Sequence, residues 1–228
     1  MSVVPDRVAP ASHLRIAVPA YTGQVSVQTA SSLDAALPHL LAAGIKVDTD
    51  YLAGCCYLDH TRNLMADRFM RSKATDLLFI DADVAFSPDA VLRAALSTRP
   101  VLAGIYPKKG DRPEFPVAVD SDEIWSDGEG YIECSMVPTG FLRINRKVFE
   151  AMILNVETYA GPDGPLRAYF KTVIRDGQYI GEDVEFCNVW RGIGGKIHAV
   201  ANVEFGHVGA KEWRGAWPQG NPKISEAA

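Results

Sequence analysis

The stretch Leu77-Leu78-Phe79-Ile80-Asp81-Ala82-Asp83-Val84 packs four apolar residues in front of two acids. A run that is apolar at both alternating positions reads as a strand covered on both faces. Within a strand, residues i and i+2 point to the same side. Asp81 and Asp83 therefore project together from the strand end, with Ala82 turned away. Two neighbouring carboxylates repel, and one tends to protonate unless a cation meets them. The fold and the chemistry both turn on what that cation is.

Working outward, residues 14–21 (LRIAVPAY) read as a strand and residues 32–44 as a helix stopped by Gly44, with Pro38 as an interruption inside it. Residues 45–54 read as a second strand, 60–73 as a helix, 76–83 as the acid-ended strand, 88–97 as a helix opened by Pro88 and Asp89, and 101–107 as a further strand. Strand and helix alternate, which predicts an α/β sandwich around a mostly parallel sheet. Ligands of such sheets bind at the carboxyl ends of the strands, where Asp81 and Asp83 lie.

The second half reads differently. Residues 114–120 and 131–138 suggest antiparallel pieces around a Ser-Asp-Gly turn, 140–146 a strand and 147–154 a short helix. Residues 155–180, rich in glycine and proline, read as one long loop, 181–195 as a helix led by acids, and 196–209 as a last strand ending in Gly-His. The organisation expected is a lead-in over 1–13, one domain over 14–209 and a polar tail over 210–228.

The 228 residues carry a net charge of −5, which gives no support for general nucleic-acid binding. No stretch approaches the roughly 20 apolar residues of a bilayer span. The N-terminus does not read as a signal peptide, so a cytoplasmic location is expected. Cys55, Cys56, Cys134 and Cys187 form no Cys-x-x-Cys pair, which argues against structural zinc and for reduced thiols.

Three readings of the acid pair compete. Asp83 and Ser87 can cap the helix that starts at Pro88. A calcium loop fails, because Phe86 stands where the turn glycine belongs and Leu92 where the closing glutamate belongs. A catalytic metal site needs further ligands. His207, between Gly206 and Gly209, is the candidate, since a neutral imidazole beside carboxylates suits Mn²⁺. Glu182 and Asp183 open the acid-led helix. They either complement its dipole or place a general base at the reaction centre.

In this order the motifs resemble the GT-A glycosyltransferases, metal-dependent enzymes that transfer a sugar from a nucleotide-sugar donor. IAVPAYTG (16–23) is similar to their first strand and donor loop, HTRNLMADRFMRS (60–72) to the helix near the nucleotide, and LLFIDADV to the Asp-x-Asp strand. VPTGFLRINRKVFEAM (137–152) resembles the acceptor-side strand and helix, GEDVEFCNVWRGIGGKIHAV (181–200) the acid-led helix, and FGHVG the metal histidine.

The resemblance implies a Rossmann-like three-layer α/β/α sandwich with a small antiparallel part. It implies Pro19, Ala20, Tyr21, Arg62, Asp81, Ala82 and Asp83 at a UDP- or GDP-sugar. It further implies Asp81, Asp83 and His207 around Mn²⁺ or Mg²⁺, and Asp183 or Glu182 as the catalytic carboxylate. Lys211 and Arg214 either touch the diphosphate or are solvated tail residues. Tyr159, Tyr169, Trp213 and Trp217 either face sugar rings or pack. Rival readings are a haloacid dehalogenase-like phosphatase with Asp81 as nucleophile, and a non-catalytic nucleotide-sugar-binding subunit.

Overall fold

A computed structural model describes residues 4–112, 114–121, 124–217 and 225–226. Its first half alternates as β1 (His13–Ala20), α1 (Val27–Ala42), β2 (Lys46–Ala53), α2 (Leu58–Arg71), β3 (Asp76–Ile80), β4 (Val84–Phe86), α3 (Pro88–Leu96) and β5 (Val101–Gly104). Then follow β6 (Trp125–Ser126), β7 (Tyr131–Cys134), β8 (Phe141–Asn145), α4 (Arg146–Met152), β9 (Thr158–Gly161), β10 (Gly164–Arg167), β11 (Val173–Arg175) and β12 (Gln178–Ile180). The chain closes with α5 (Glu182–Gly192), β13 (Ile197–Val200), β14 (Val203–Val208), β15 (Glu212–Trp217) and β16 (Ser225–Glu226).

The main sheet has the order β16-β6-β7-β13-β5-β8-β3-β1-β2. Only β7 and β8 run against the common direction of the other strands. A small antiparallel sheet, β15-β14-β4, sits beside it.

The side-chain period of two makes the three layers. Leu77 and Phe79 of β3 pack with Phe69 of α2, Phe149 of α4 and Phe186 of α5. Leu78 and Ile80 face the other way, against Leu33 and Leu40 of α1 and Val91 of α3. All five residues of β3 are fully buried, as its unbroken apolar run predicts.

Several expectations change. β3 stops at Ile80, and Asp81–Asp83 form a turn closed by the Val84 amide donating to the Asp81 carbonyl at 3.1 Å. The rule that i and i+2 share a face holds only in extended backbone, so the two acids are free to diverge.

The 155–180 segment is not one loop but two hairpins, β9–β10 and β11–β12. The second turns on Asp176-Gly177, with φ of 52° and 75°, the left-handed pair that tight hairpins require. The last strand is two strands, split at Asn202 (φ 56°), so that β13 joins the main sheet and β14 the small one.

Helix α1 begins earlier than expected, at Val27, capped by Ser26, and runs through Pro38, which lies on its exposed side. Part of the lead-in is fastened rather than loose: Val8 and Ala11 are buried and their amides bond Thr98 and Ala95 carbonyls at 2.9 and 2.8 Å. Within the tail, 212–217 forms β15; residues 1–3, 218–224 and 227–228 of the lead-in and tail lie outside the described residues.

Candidate functional site

The carboxyl ends of β1 and β3 open into a cleft of about 400 Å³. Pro19 and Tyr21 line one side and Asp81, Ala82 and Asp83 the other, with Val208 of β14 at the end. Ala20 is buried and does not line the cleft. The loop after β1 is held in place from both sides. Gly23, at φ 74°, donates to the Ala20 carbonyl at 2.8 Å, and the Ser26 amide donates to the Ala82 carbonyl at 2.8 Å. Cleft wall and acid turn are thereby one piece.

Each acid has its own cation. Arg62, in the first half of α2, is only 3% exposed. Its Nη2 lies 2.9 Å from Asp81 Oδ1, and its Nη1 donates to Glu182 Oε1. One guanidinium thus ties together the start of α2, the end of β3 and the start of α5. Burial works against the Arg62 cation, but Asp81 and Glu182 outweigh it and raise its pKa. Each carboxylate has only a share of that one cation. At Glu182, burial together with the neighbouring Asp183 outweighs the attraction of Arg62, so its carboxyl is raised above the usual range.

Asp81 is also walled in. The Gly140 carbonyl accepts from the Asp81 amide at 2.9 Å, and the Gly140 amide donates to Tyr106 Oη at 3.2 Å. A Cβ at Gly140 would lie 2.3 Å from Tyr106 Oη and 2.7 Å from Asp81 Oδ2. Burial and then the Asp81 charge push the Tyr106 phenol far up, so it stays neutral and stands by as a hydroxyl.

Asp83 points elsewhere. Lys109 Nζ lies 2.5 Å from its Oδ2 and His207 Nε2 lies 3.6 Å from the same oxygen. His207 Nδ1 is 3.0 Å from the Pro107 carbonyl. A carbonyl only accepts, so Nδ1 carries a hydrogen and Nε2 is the ring atom turned to Asp83, able to donate to the carboxylate or, without its proton, to ligate a cation beside it. The Tyr106 ring meets the imidazole edge-on at 5.0 Å between centroids and fixes its plane. Burial works against the Asp83 charge, but His207 and Lys109 outweigh it and hold its carboxyl below the usual range.

As a metal site the donor set is partial but chemically apt. Among the described residues no three His, Cys, Asp or Glu side chains stand together as a ready-made cage. Asp83 and His207 converge, while Asp81 Oδ1 is taken by Arg62. Mg²⁺ and Mn²⁺ sites commonly take one or two carboxylates and complete their shell with water and substrate phosphates, so one carboxylate and one oriented imidazole fit.

Of the other candidates, Asp183 sits in the first turn of α5. Its Oδ1 accepts from the Val184 amide at 2.8 Å, and no ion pair of the described residues includes it. The capping reading applies to Ser87, whose hydroxyl accepts from the Ala90 amide, and not to Asp83. Lys211 pairs with Asp111 at 2.9 Å, and Arg214 with Glu204 and Glu212; neither cation pairs with Asp81 or Asp83. Trp217 and Tyr169 are buried as packing residues, and Tyr159 Oη is 2.9 Å from His60 Nδ1. Sequence reasoning passed over Lys109, Tyr106 and Gly140. The signal for Lys109 was present: two lysines and a glycine follow β5 at the same sheet edge.

No protein-family model and no curated protein matches the sequence. Solved structures do. A crystal structure of GalNAc-T7 with UDP, GalNAc and Mn²⁺ aligns over 89% of this chain at a TM-score of 0.54 and 11% identity. This chain spans 44% of that structure's length. A glycosyltransferase involved in the glycosylation of the major capsid of PBCV-1 aligns over 62% of this chain and 63% of its own, at a TM-score of 0.37 and 10% identity. With its three layers, its strand order and its carboxyl-end cleft, the chain has the GT-A-like glycosyltransferase fold.

Proposed function

We propose that the protein is a glycosyltransferase that moves a sugar from a nucleoside diphosphate-sugar, a UDP- or GDP-sugar, to an acceptor hydroxyl. The observation that carries this reading is the pairing of Asp83 with a tautomer-fixed His207 at the mouth of the carboxyl-end cleft. The fold supports it, because the neighbour that aligns over most of this chain was solved with UDP and Mn²⁺. Asp83 and His207 would hold Mn²⁺ or Mg²⁺, with Asp81 reaching it through water or holding the donor ribose. Such an ion offsets the negative charge that grows on a departing diphosphate without any proton transfer.

The remaining roles belong to the chain itself. Pro19, Tyr21 and Ala82 shape the wall against which the nucleotide lies. Arg62 holds the Asp81 carboxylate in place. Glu182, bonded to Arg62, positions that guanidinium, which leaves Asp183 to take the proton from the acceptor hydroxyl if the reaction inverts the sugar. The phosphatase reading is not favoured: it needs Asp81 as a mobile nucleophile, and Asp81 is locked between Arg62 and Gly140.

The test is a thermal melt with UDP- and GDP-sugars, with and without Mn²⁺, followed by a transfer assay. A matching donor with Mn²⁺ raises the Tm of the wild type, and Asp83→Ala removes the shift. Asp183→Asn keeps the shift and loses about 10²–10⁴-fold in transfer rate. Melts that no nucleotide-sugar moves would end this reading. A shift without transfer or hydrolysis would favour the non-catalytic binding subunit instead.

A further inference from the structure

We propose that Lys109 is an exchangeable counter-ion: it neutralises Asp83 while no divalent ion is bound, and moves onto the diphosphate when the ion takes its place. This rests on the donor site proposed above and adds a nucleotide-binding residue to it.

Three observations carry the inference. Lys109 Nζ lies on Asp83 Oδ2, the same oxygen that His207 Nε2 faces. An ammonium and a divalent cation repel, so both cannot occupy that oxygen. Arrival of the ion must expel the lysine, and the lysine must compete with the ion.

The pair is also placed for exchange. Side-chain exposures are 36% for Lys109 and 38% for Asp83, so both groups keep part of their water and separation costs little. Arg62, by contrast, is sealed at 3% exposure and held by two carboxylates.

Finally, the stem is guided. A Cβ at Gly209 would lie 3.3 Å from Lys109 Cδ, so the glycine leaves a slot beside the side chain. The loop that carries it is closed by the Lys108 amide on the Glu114 carbonyl at 2.7 Å. The start of that loop is tied to β14 by His207, whose Nδ1 lies 3.0 Å from the Pro107 carbonyl. The released ammonium therefore stays at the mouth of the cleft, where a diphosphate bridging to the ion would lie. Among the described residues no other lysine or arginine pairs with Asp83.

The experiment measures Mn²⁺ affinity without nucleotide, by electron paramagnetic resonance of the free ion, and UDP affinity at saturating Mn²⁺. Wild type, Lys109→Ala, Lys109→Arg and Asp83→Ala are compared at fixed ionic strength. Removing a half-exposed competing cation should tighten Mn²⁺ binding by about twofold to fivefold in Lys109→Ala. Losing a charge-assisted contact to the diphosphate should weaken UDP by about tenfold or more. Lys109→Arg should return Mn²⁺ affinity toward wild type, and Asp83→Ala should abolish Mn²⁺ binding. Unchanged or weaker Mn²⁺ binding by Lys109→Ala, with normal binding by wild type, overturns the exchange but not the site. Tighter Mn²⁺ with unchanged UDP affinity overturns it as well. A wild type that binds no Mn²⁺ sinks the site reading and this inference together.

Discussion

Gly140 shows how little room the acid at the end of β3 has. Its missing side chain is what lets the Tyr106 hydroxyl and the Asp81 carboxylate meet the same backbone segment. Tyr106 cannot retreat, because its ring already packs on His207. Gly140→Ala therefore forces Asp81 off Arg62 or prises β8 from β3. We expect a folded protein that loses about 1–3 kcal/mol in urea unfolding, the usual cost of overpacking, and that no longer gains Tm from donor and Mn²⁺. A full donor-induced shift in this variant would show that Asp81 needs no such confinement. At this scale the sequence spoke unevenly. Asp83 and His207 were legible as partners, since each follows an apolar run of the sequence. That Asp81 and Asp83 answer to different cations was not, because the backbone leaves the strand at Ile80 and nothing in the residue order marks that step.

At the other end of β3, the strand is fixed by a second buried charge. Asp76 and Arg143, cross-strand neighbours on β3 and β8, are both fully buried, with Oδ1 2.5 Å from Nη2. Asn145 Nδ2 also donates to that oxygen at 2.8 Å, and Arg143 Nη1 donates to the Arg99 carbonyl. Burial lowers the Arg143 pKa, against the pull of Asp76. Asp76→Ala leaves a sealed guanidinium without its counter-charge and should cost about 3–5 kcal/mol in urea unfolding. Adding Arg143→Leu should recover part of that loss; a double variant no better than the single would place the effect in packing rather than charge. Among elements, the alternation of the first half was legible because each strand is apolar and each helix amphipathic. The β11–β12 hairpin was signalled by Asp176-Gly177 and still read as loop, since glycine and proline nearby drowned a three-residue strand on either side. The split of β13 from β14 hangs on Asn202 in a left-handed conformation, a single-residue event that an otherwise continuous apolar pattern conceals.

For the molecule as a whole, stability should depend on pH through His198. Burial, aided by Arg99, depresses this ring to about 4 from its ordinary 6.5. Lys196, Glu133 and Asp127 also face it, the first opposing its charge and the other two favouring it. Above pH 6.5 the ring is neutral whether folded or not and contributes nothing. As pH falls from 6.5 toward 4, the unfolded chain takes a proton that the folded chain refuses, so stability declines across that window. The ring should make the protein about 2 kcal/mol less stable to urea at pH 5 than at pH 7.5. His198→Phe should flatten this slope whatever it does to absolute stability; an unchanged slope would assign the dependence to other groups. The three-layer plan was readable from the strand–helix rhythm. Of its antiparallel members, β7 was signalled by the Ser-Asp-Gly turn before it, whereas the direction of β8 is set by long-range pairing with β3 and β5 that no local pattern encodes. The guanidinium of Arg62 has one more consequence. Because a single buried group braces α2, β3 and α5 from the inside, the floor of the cleft is rigid before any ligand arrives. At the proposed donor site Asp81 is therefore already placed, and little of a ligand's binding is spent on ordering it.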